Sequence, residues 1–448
     1  MYIFNASIRK TNVVVVFSFL FVFLISSIVS AQHTYAKKIK VEEERAQPNG
    51  IISTSDGGNV LLFREALVRK INASGRKVWQ RELHLEEQPD NSFVGRGVAE
   101  LSDGSYVVAG DKTRFFLPPS DIVWDSEPWL VKLTPEGKID WQKRFVESDF
   151  GSVLSSVVPS GDGGFFAAGK RGPEFLKSGD PGIIVASFDY TGKMRWGKAF
   201  RVDFFHSAYF LVVDFPVLFV TSNQELILVS PFSGITAEDE GTLVLKLDAD
   251  GNLSWKKLLR KKDLQFTSGA VTADGGCILL FSSGALRLSS NGKILWKKSF
   301  RVNSQAGSVS AVTQTADGGF AVAGTVNSSS GEIFVDKLFL AKLDSAGTVV
   351  SSVFSDSTAV DNPEFILPTS DSGYVVFGSS EDAFLLKLDS NANLPGCNPF
   401  SAATIASRKF GALETSSPTI TINTWRPRET SSEIRSKKLK VTSSQFCP

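Results

Sequence analysis

One unit recurs seven times along this chain, and no other feature of the sequence restricts the possible folds as tightly. Its clearest copy reads SVSAVTQTADGGFAVAGTVNSSSGEIFVDKLFLAKLDSAG, residues 308–347. Asp-Gly turns stand at Asp56, Asp103, Asp162, Asp274 and Asp317, a weaker DSG stands at Asp371, and SNQE (222–225) fills the fourth place. A second landmark repeats as RKINASG, VKLTPEG, ASFDYTG, LKLDADG, LRLSSNG, AKLDSAG and LKLDSNA. Successive turns lie 43 to 61 residues apart. A period near fifty with this much variation belongs to propeller blades.

Each unit predicts four short strands. SAVTQT leads through the Asp-Gly turn into FAVAG, a hairpin whose tight turn suits Asp and Gly. A loop of variable length leads to LFLAKLD, and the LDxxG turn leads to a fourth strand such as KILWKKSF, residues 293–300. The second and third strands are apolar almost throughout, as in sheets covered on both faces, and helical periodicity is nearly absent. A lone blade cannot bury two faces, so the copies must stack, and a closed ring leaves only short edges. The expected fold class is therefore all-β: a seven-bladed β-propeller of four-stranded antiparallel blades.

The fourth strand has a signature of its own. Trp79, Trp141, Trp196, Trp255 and Trp296 each stand four residues after a turn glycine. Arg81, Lys143, Lys198, Lys257 and Lys298 follow two residues on, then Leu83, Phe145, Phe200, Leu259 and Phe300. Positions i, i+2 and i+4 share one strand face. The ring and the second apolar group are thus placed to pack on the next blade, and the basic residue between them discourages edge-to-edge pairing. The sixth copy, TVVSSVF, lacks the Trp, so looser packing is expected there. The seventh copy, LKLDSNANLPG, has no fourth strand. Tyr35, Lys37 and Ile39 reproduce the aromatic, basic, apolar pattern, so the N-terminal strand is expected to complete blade seven and close the ring. Two other readings stay open: Tyr35 and its neighbours as a frayed basic tail, and TITINTW (419–425) as the strand that fills the slot.

Residues 1–31 carry the marks of a signal peptide: Arg9 and Lys10, an apolar run from Val13 to Val29, and the small-residue site Val29-Ser30-Ala31. The run is also near the lower limit of an uncleaved membrane anchor. The expected location is secreted or periplasmic, with no membrane span once the signal is cleaved. The organisation expected is a signal peptide at 1–31, the propeller at 32–396 and a Ser/Thr-rich tail at 397–448. Cys397 and Cys447 flank that tail and are candidates for a disulfide in an oxidising compartment. Cys277, in GGCILLF, reads as a small buried hydrophobe. A net charge of +1 and the lack of a basic stripe give no nucleic-acid footprint.

With KLDADGNLSW and its copies in view, the chain resembles exported bacterial β-propeller repeat proteins with Asp-Gly-Gly and Leu-Asp-x-x-Gly-x-x-x-Trp landmarks, and is distantly similar to quinoprotein-type (PQQ-like) propellers. The resemblance, over about residues 33–394, implies that the five Trp residues dock each blade on the next. Its catalytic side does not carry over, because the adjacent cysteine pair common in those enzymes is missing and there are seven repeats rather than eight.

Chemistry is expected on one face of the ring, where the loops between second and third strands vary most: 111–128, 170–182, 230–241 and 325–336. Phe115, Phe116 and Trp124 could stack on a flat ligand, a sugar or a protein, or simply fold their loop onto the rim. Glu127, Asp180, Glu238, Asp239, Glu240, Glu332, Asp336, Glu381 and Asp382 make this face acidic, whether to attract a cation or merely as solvated charge. His206 could be a base, a ligand or a structural residue. DADGN (248–252) is a loose match to a calcium loop and equally a hairpin turn. No zinc spacing, phosphate loop or serine elbow occurs. The expectation is a monomeric, non-enzymatic protein with no cofactor or metal, recognising an extracellular or envelope protein or carbohydrate. The alternatives are a carbohydrate-active hydrolase or lyase using Glu238, Asp239 and Glu240, and a quinone- or metal-binding propeller.

Overall fold

A computed structural model describes residues 34–445 apart from 42–46, 86–91, 117–122, 147–150, 172–181, 203–211, 214, 234–239, 261–264, 303–304, 331–332, 356–359, 395–399, 403–404, 410–412, 419, 431–433 and 438–440. Residues 1–31, read from sequence as a signal peptide, and Cys397 and Cys447 lie outside the described residues. The described residues form an all-β, seven-bladed propeller with no helix.

Both faces of the middle strands are covered, as their composition requires. In blade one, every residue of Asn59–Phe63 and Leu67–Ile71 is buried. Alternate side chains go opposite ways: Val60 and Leu62 pack toward blade two, Leu61 and Phe63 toward blade seven. Seven apolar clusters result, one per junction. Each fully buried Leu or Phe contributes about 1.5–3 kcal/mol.

At the outer rim, the indole N–H of each fourth-strand Trp donates to a turn carbonyl of the next blade: Trp79 to Pro135, Trp141 to Tyr190, Trp196 to Ala249, Trp255 to Ser290 and Trp296 to Ser345, at 2.7 to 3.2 Å. The ring lies on the turn glycine. A Cβ on Gly137, Gly192, Gly251, Gly292 or Gly347 would meet the indole at 2.6 to 3.0 Å, and all five have φ near +75°. Glycine is thus required twice at one position, for the left-handed backbone and for the ring. Tyr35 does the same work on Gly75, and Lys37 donates to the Gly75 carbonyl.

The N-terminal strand Tyr35–Val41 pairs antiparallel with Ala383–Leu388, with Tyr35 opposite Lys387, and completes blade seven. Tyr35 and Ile39 are buried in the junction with blade one. TITINTW instead supplies Ile420–Thr424 to the outer edge of blade three.

That pairing belongs to a larger departure from expectation. The described part of residues 397–448, read from sequence as a tail with one alternating strand, forms seven strands that run round the rim as a belt. Phe400–Ala402 pairs with blade six, Ile405–Lys409 with blade five, Glu414–Ser416 with blade four, Ile420–Thr424 with blade three, Arg428–Thr430 with blade two and Ile434–Lys437 with blade one. Val441–Gln445 then pairs with the N-terminal strand itself. The belt also drives an apolar pin into six junctions: Phe400, Ile405, Leu413, Ile420, Trp425 and Ile434. Trp425 is buried, its backbone N–H donates to the Gly197 carbonyl at 2.9 Å, and Gly197 has no room for a Cβ beside it.

On the inner side, most first strands carry a bulge at the same place, and the extra residue often reaches across to the neighbouring blade. Asn49 donates to the Gly95 carbonyl, Ser155 to Pro216, Thr267 to Val309 and Ser310 to Pro363.

Within every blade an ion pair ties the first-hairpin turn to a later strand: Lys70–Asp56, Lys132–Asp103, Lys246–Glu225, Arg287–Asp274, Lys342–Asp317 and Lys387–Asp371, with Arg195–Asp162 in blade three. Burial raises Asp56 and Asp274, but the hydrogen bonds and charges of Lys70 and Arg287, with help from Thr54 and Thr272, outweigh it and hold both near about 2.

These carboxylates stabilise the fold fully above their unfolded pKa, about 3.9, and lose that contribution as pH falls toward 2. Circular dichroism should therefore show unfolding starting below about pH 4, earlier in Arg287→Met than in the parent. Gly137→Ala should cost about 2–4 kcal/mol in denaturant titration, since strain and ring clash combine. Gly318→Ala, with φ +79° but nothing within 4 Å, should cost only about 1 kcal/mol. Trp425→Ala should cost about 3 kcal/mol and expose the belt to limited proteolysis before the blades.

Candidate functional site

The two faces of the ring differ in what they leave unused. On the turn face, the backbone and side chains of the turns satisfy one another. Asp248 of DADGN, for example, accepts from the Asp250 and Asn252 backbone N–H groups and from the Asn252 amide, so its carboxylate is spent on the hairpin turn. The opposite face carries the long connections and also two hairpins that outgrow their blades. In blade two Tyr106–Phe116 and Val123–Leu133 pair over their full length, as do Phe320–Ser330 and Ile333–Leu343 in blade six. Blade one ends its hairpin some six residues earlier on each strand. At ~3.4 Å per residue, the two long hairpins rise about 20 Å above it.

Much of what was read as loop is therefore strand. Phe115 pairs with Trp124 and Phe116 with Val123 in the ladder at the tip of the blade-two hairpin. His206, Glu238 and Asp239, with Asp180 and Glu332, lie outside the described residues. Glu240 is half-buried just before Gly241–Leu247. Glu127 is buried and paired with Arg144, and Asp382 pairs with Lys40 at 3.2 Å. Those two acids are structural. Cys277 is a free thiol at the start of the buried strand Cys277–Phe281, and burial pushes it up to about 12, far from a working nucleophile. On the same face, the Arg96 guanidinium lies 3.8 Å and the Lys170 ammonium 4.6 Å from the centre of the exposed Phe215 ring.

One acid of the expected set does line a cavity. Asp336, at the foot of the blade-six hairpin, joins Ser308 and Thr325 of that blade with Asp361, Asn362, Ser379 and Ser380 of blade seven. Together they enclose about 470 Å³, open to solvent. Burial first, then the charge of Asp336, raises the Asp361 carboxyl above the usual range despite a hydrogen bond from Ser380. Asp361 Oδ1 is buried with no hydrogen-bond partner. Behind it, burial raises Glu364, which accepts from the Ser379 hydroxyl at 2.6 Å. Such a lining suits a cation or a group rich in hydrogen-bond donors. Sequence reasoning missed Asp361, Asn362, Ser379 and Ser380. They sit on a short connection and a short hairpin, and only the packing of blades six and seven brings them to Asp336.

A family model described as outer membrane protein assembly factor BamB (PQQ_2) matches residues 123–352, just over half of the 448. The chain belongs to that family. Among solved structures, BamB from Moraxella catarrhalis is 12% identical, with 77% of this chain and 97% of that chain covered and a TM-score of 0.37. YCF48 from Cyanidioschyzon merolae is also 12% identical, with 79% and 98% covered and a TM-score of 0.46. No curated protein matches the sequence. Membership of the BamB family is consistent with a protein-binding scaffold.

A carboxyl whose folded pKa is raised weakens the fold as pH climbs through the unfolded value, so at neutral pH Asp361 works against stability. Asp361→Asn should raise stability at pH 7 by about 0.5 kcal/mol after solvent screening, with no gain at pH 3, as read by thermal unfolding at the two pH values.

Proposed function

We propose that this BamB-family propeller is an exported binding scaffold that holds a protein partner against the face bearing the two long hairpins. The observation that carries the reading is the buried, unpaired oxygen of Asp361 in an open cavity at the foot of one hairpin. A buried acceptor that lines an open cavity is placed to take a donor from a ligand. With Asp336 beside it, the matching partner segment presents a lysine or arginine. The hairpin tips, with Phe115, Phe116 and Trp124, are the second contact. The export marks at residues 1–31 and the family's link to outer-membrane protein assembly support a site in the envelope or outside the cell.

The test is cross-linked capture from the native envelope fraction, with the captured proteins identified by mass spectrometry. Asp336→Asn with Asp361→Asn should reduce the yield of a specific partner about tenfold. Replacing residues 114–125 by a two-residue turn should abolish it while the melting temperature holds. Capture that ignores both changes would refute the reading. Turnover of a glycan by the wild type, lost in the double variant, would replace it with the hydrolase alternative.

A further inference from the structure

Six of the seven rim docks are filled by a ring of this chain: five by Trp and one by Tyr35. Among the described residues, no ring fills the seventh, between blades six and seven. Ser351 stands where the Trp should be, opposite Lys342 in the ladder as Trp79 stands opposite Lys70. Ala392 occupies the turn position held elsewhere by glycine, with φ +62°, and it keeps its Cβ because no ring lies on it. A cavity of about 60 Å³ marks the spot, walled by Ser351, Ser352, Val353, Lys342, Tyr374 and the turn Ser390–Ala392. Lys342 records the missing cover. Its side chain is 37% exposed, while its counterparts Lys70, Lys132, Lys246, Arg287 and Lys387, each opposite a ring, are 3 to 7% exposed.

We propose that this empty dock is a binding site for an indole group supplied from solution. The filled docks define what it takes. A flat bicyclic ring lies on the turn, its N–H donates to the carbonyl two residues before the turn glycine, and its face covers the stem of the basic residue. Ser390 offers the corresponding carbonyl here, because it stands two residues before Ala392 as Ser290 stands before Gly292. Trp141, Trp196, Trp255 and Trp296 keep an edge in solvent, so the dock opens outward at the rim and a ring can enter without unfolding the blade. A free indole compound and a tryptophan side chain of another polypeptide share this chemistry. The site lies on the turn face and is independent of the cavity at Asp361.

Fluoroindole titrated into the full chain and followed by fluorine NMR should bind saturably, with a Kd on the order of 1 mM. Ala392→Gly, which removes the Cβ under the ring, should tighten binding about threefold or more. Ser351→Trp combined with Ala392→Gly should raise the melting temperature and abolish binding, since the chain then fills its own dock. A stabilised double variant that binds fluoroindole as the parent does, an Ala392→Gly variant with unchanged affinity, or no saturation in the parent would each overturn the proposal. Competition by N-acetyltryptophanamide and a tryptophan-centred peptide at least as strong as by free indole identifies the source as a side chain. Competition by free indole alone identifies a small molecule. Either result supports the site.

Discussion

An aromatic ring seated on a left-handed glycine is the contact on which this ring of sheets depends. The blades are alike enough to slide past one another if apolar area alone held them together, because the buried faces of neighbouring blades are similarly greasy. The indole adds direction. It seats closest where the turn lacks a Cβ, and its N–H finds only one carbonyl, so each blade is fixed in height and tilt against the next. The bulge side chains Asn49, Ser155, Thr267 and Ser310 repeat the idea on the inner side with hydrogen bonds to the neighbouring blade. A junction thus has an apolar middle held by a specific contact at either margin.

Function follows from what this arrangement leaves unconstrained. The turn face spends its carboxylates on turns and ion pairs, so its geometry is fixed by folding. The other face need only return the chain to the next blade, which lets blades two and six extend their hairpins and lets one carboxylate oxygen of Asp361 go without a partner. Blade six is where both kinds of freedom meet, since its rim dock is also unfilled. The junction of blades six and seven is therefore the least self-sufficient part of the described ring.

The repeat, the docking Trp residues and the closing role of Tyr35 were legible because each rests on a short-range spacing: i, i+2 and i+4 on one strand, and Asp-Gly or LDxxG at a turn. Even the weak packing of blade six was visible as TVVSSVF. The belt was not. Its strands are three to five residues long, and the six apolar pins in and between them, such as Ile405 and Leu413, look isolated in sequence. Only TITINTW alternates enough to read as a strand, and nothing in it says that blade three is its host. The cavity stayed hidden for the complementary reason. Asp336 and Asp361 become neighbours through blade packing rather than through any local pattern.

The pairing of Lys37 with Gln445 joins strands some four hundred residues apart. Closing a chain segment of that length costs about 5 kcal/mol in loop entropy, and it must happen after every blade is in place. Such a seam forms slowly and, once formed, opens slowly, because no single blade can leave while the belt spans its neighbours. The lifetime of the native ring, rather than its equilibrium stability, is the quantity this seam controls.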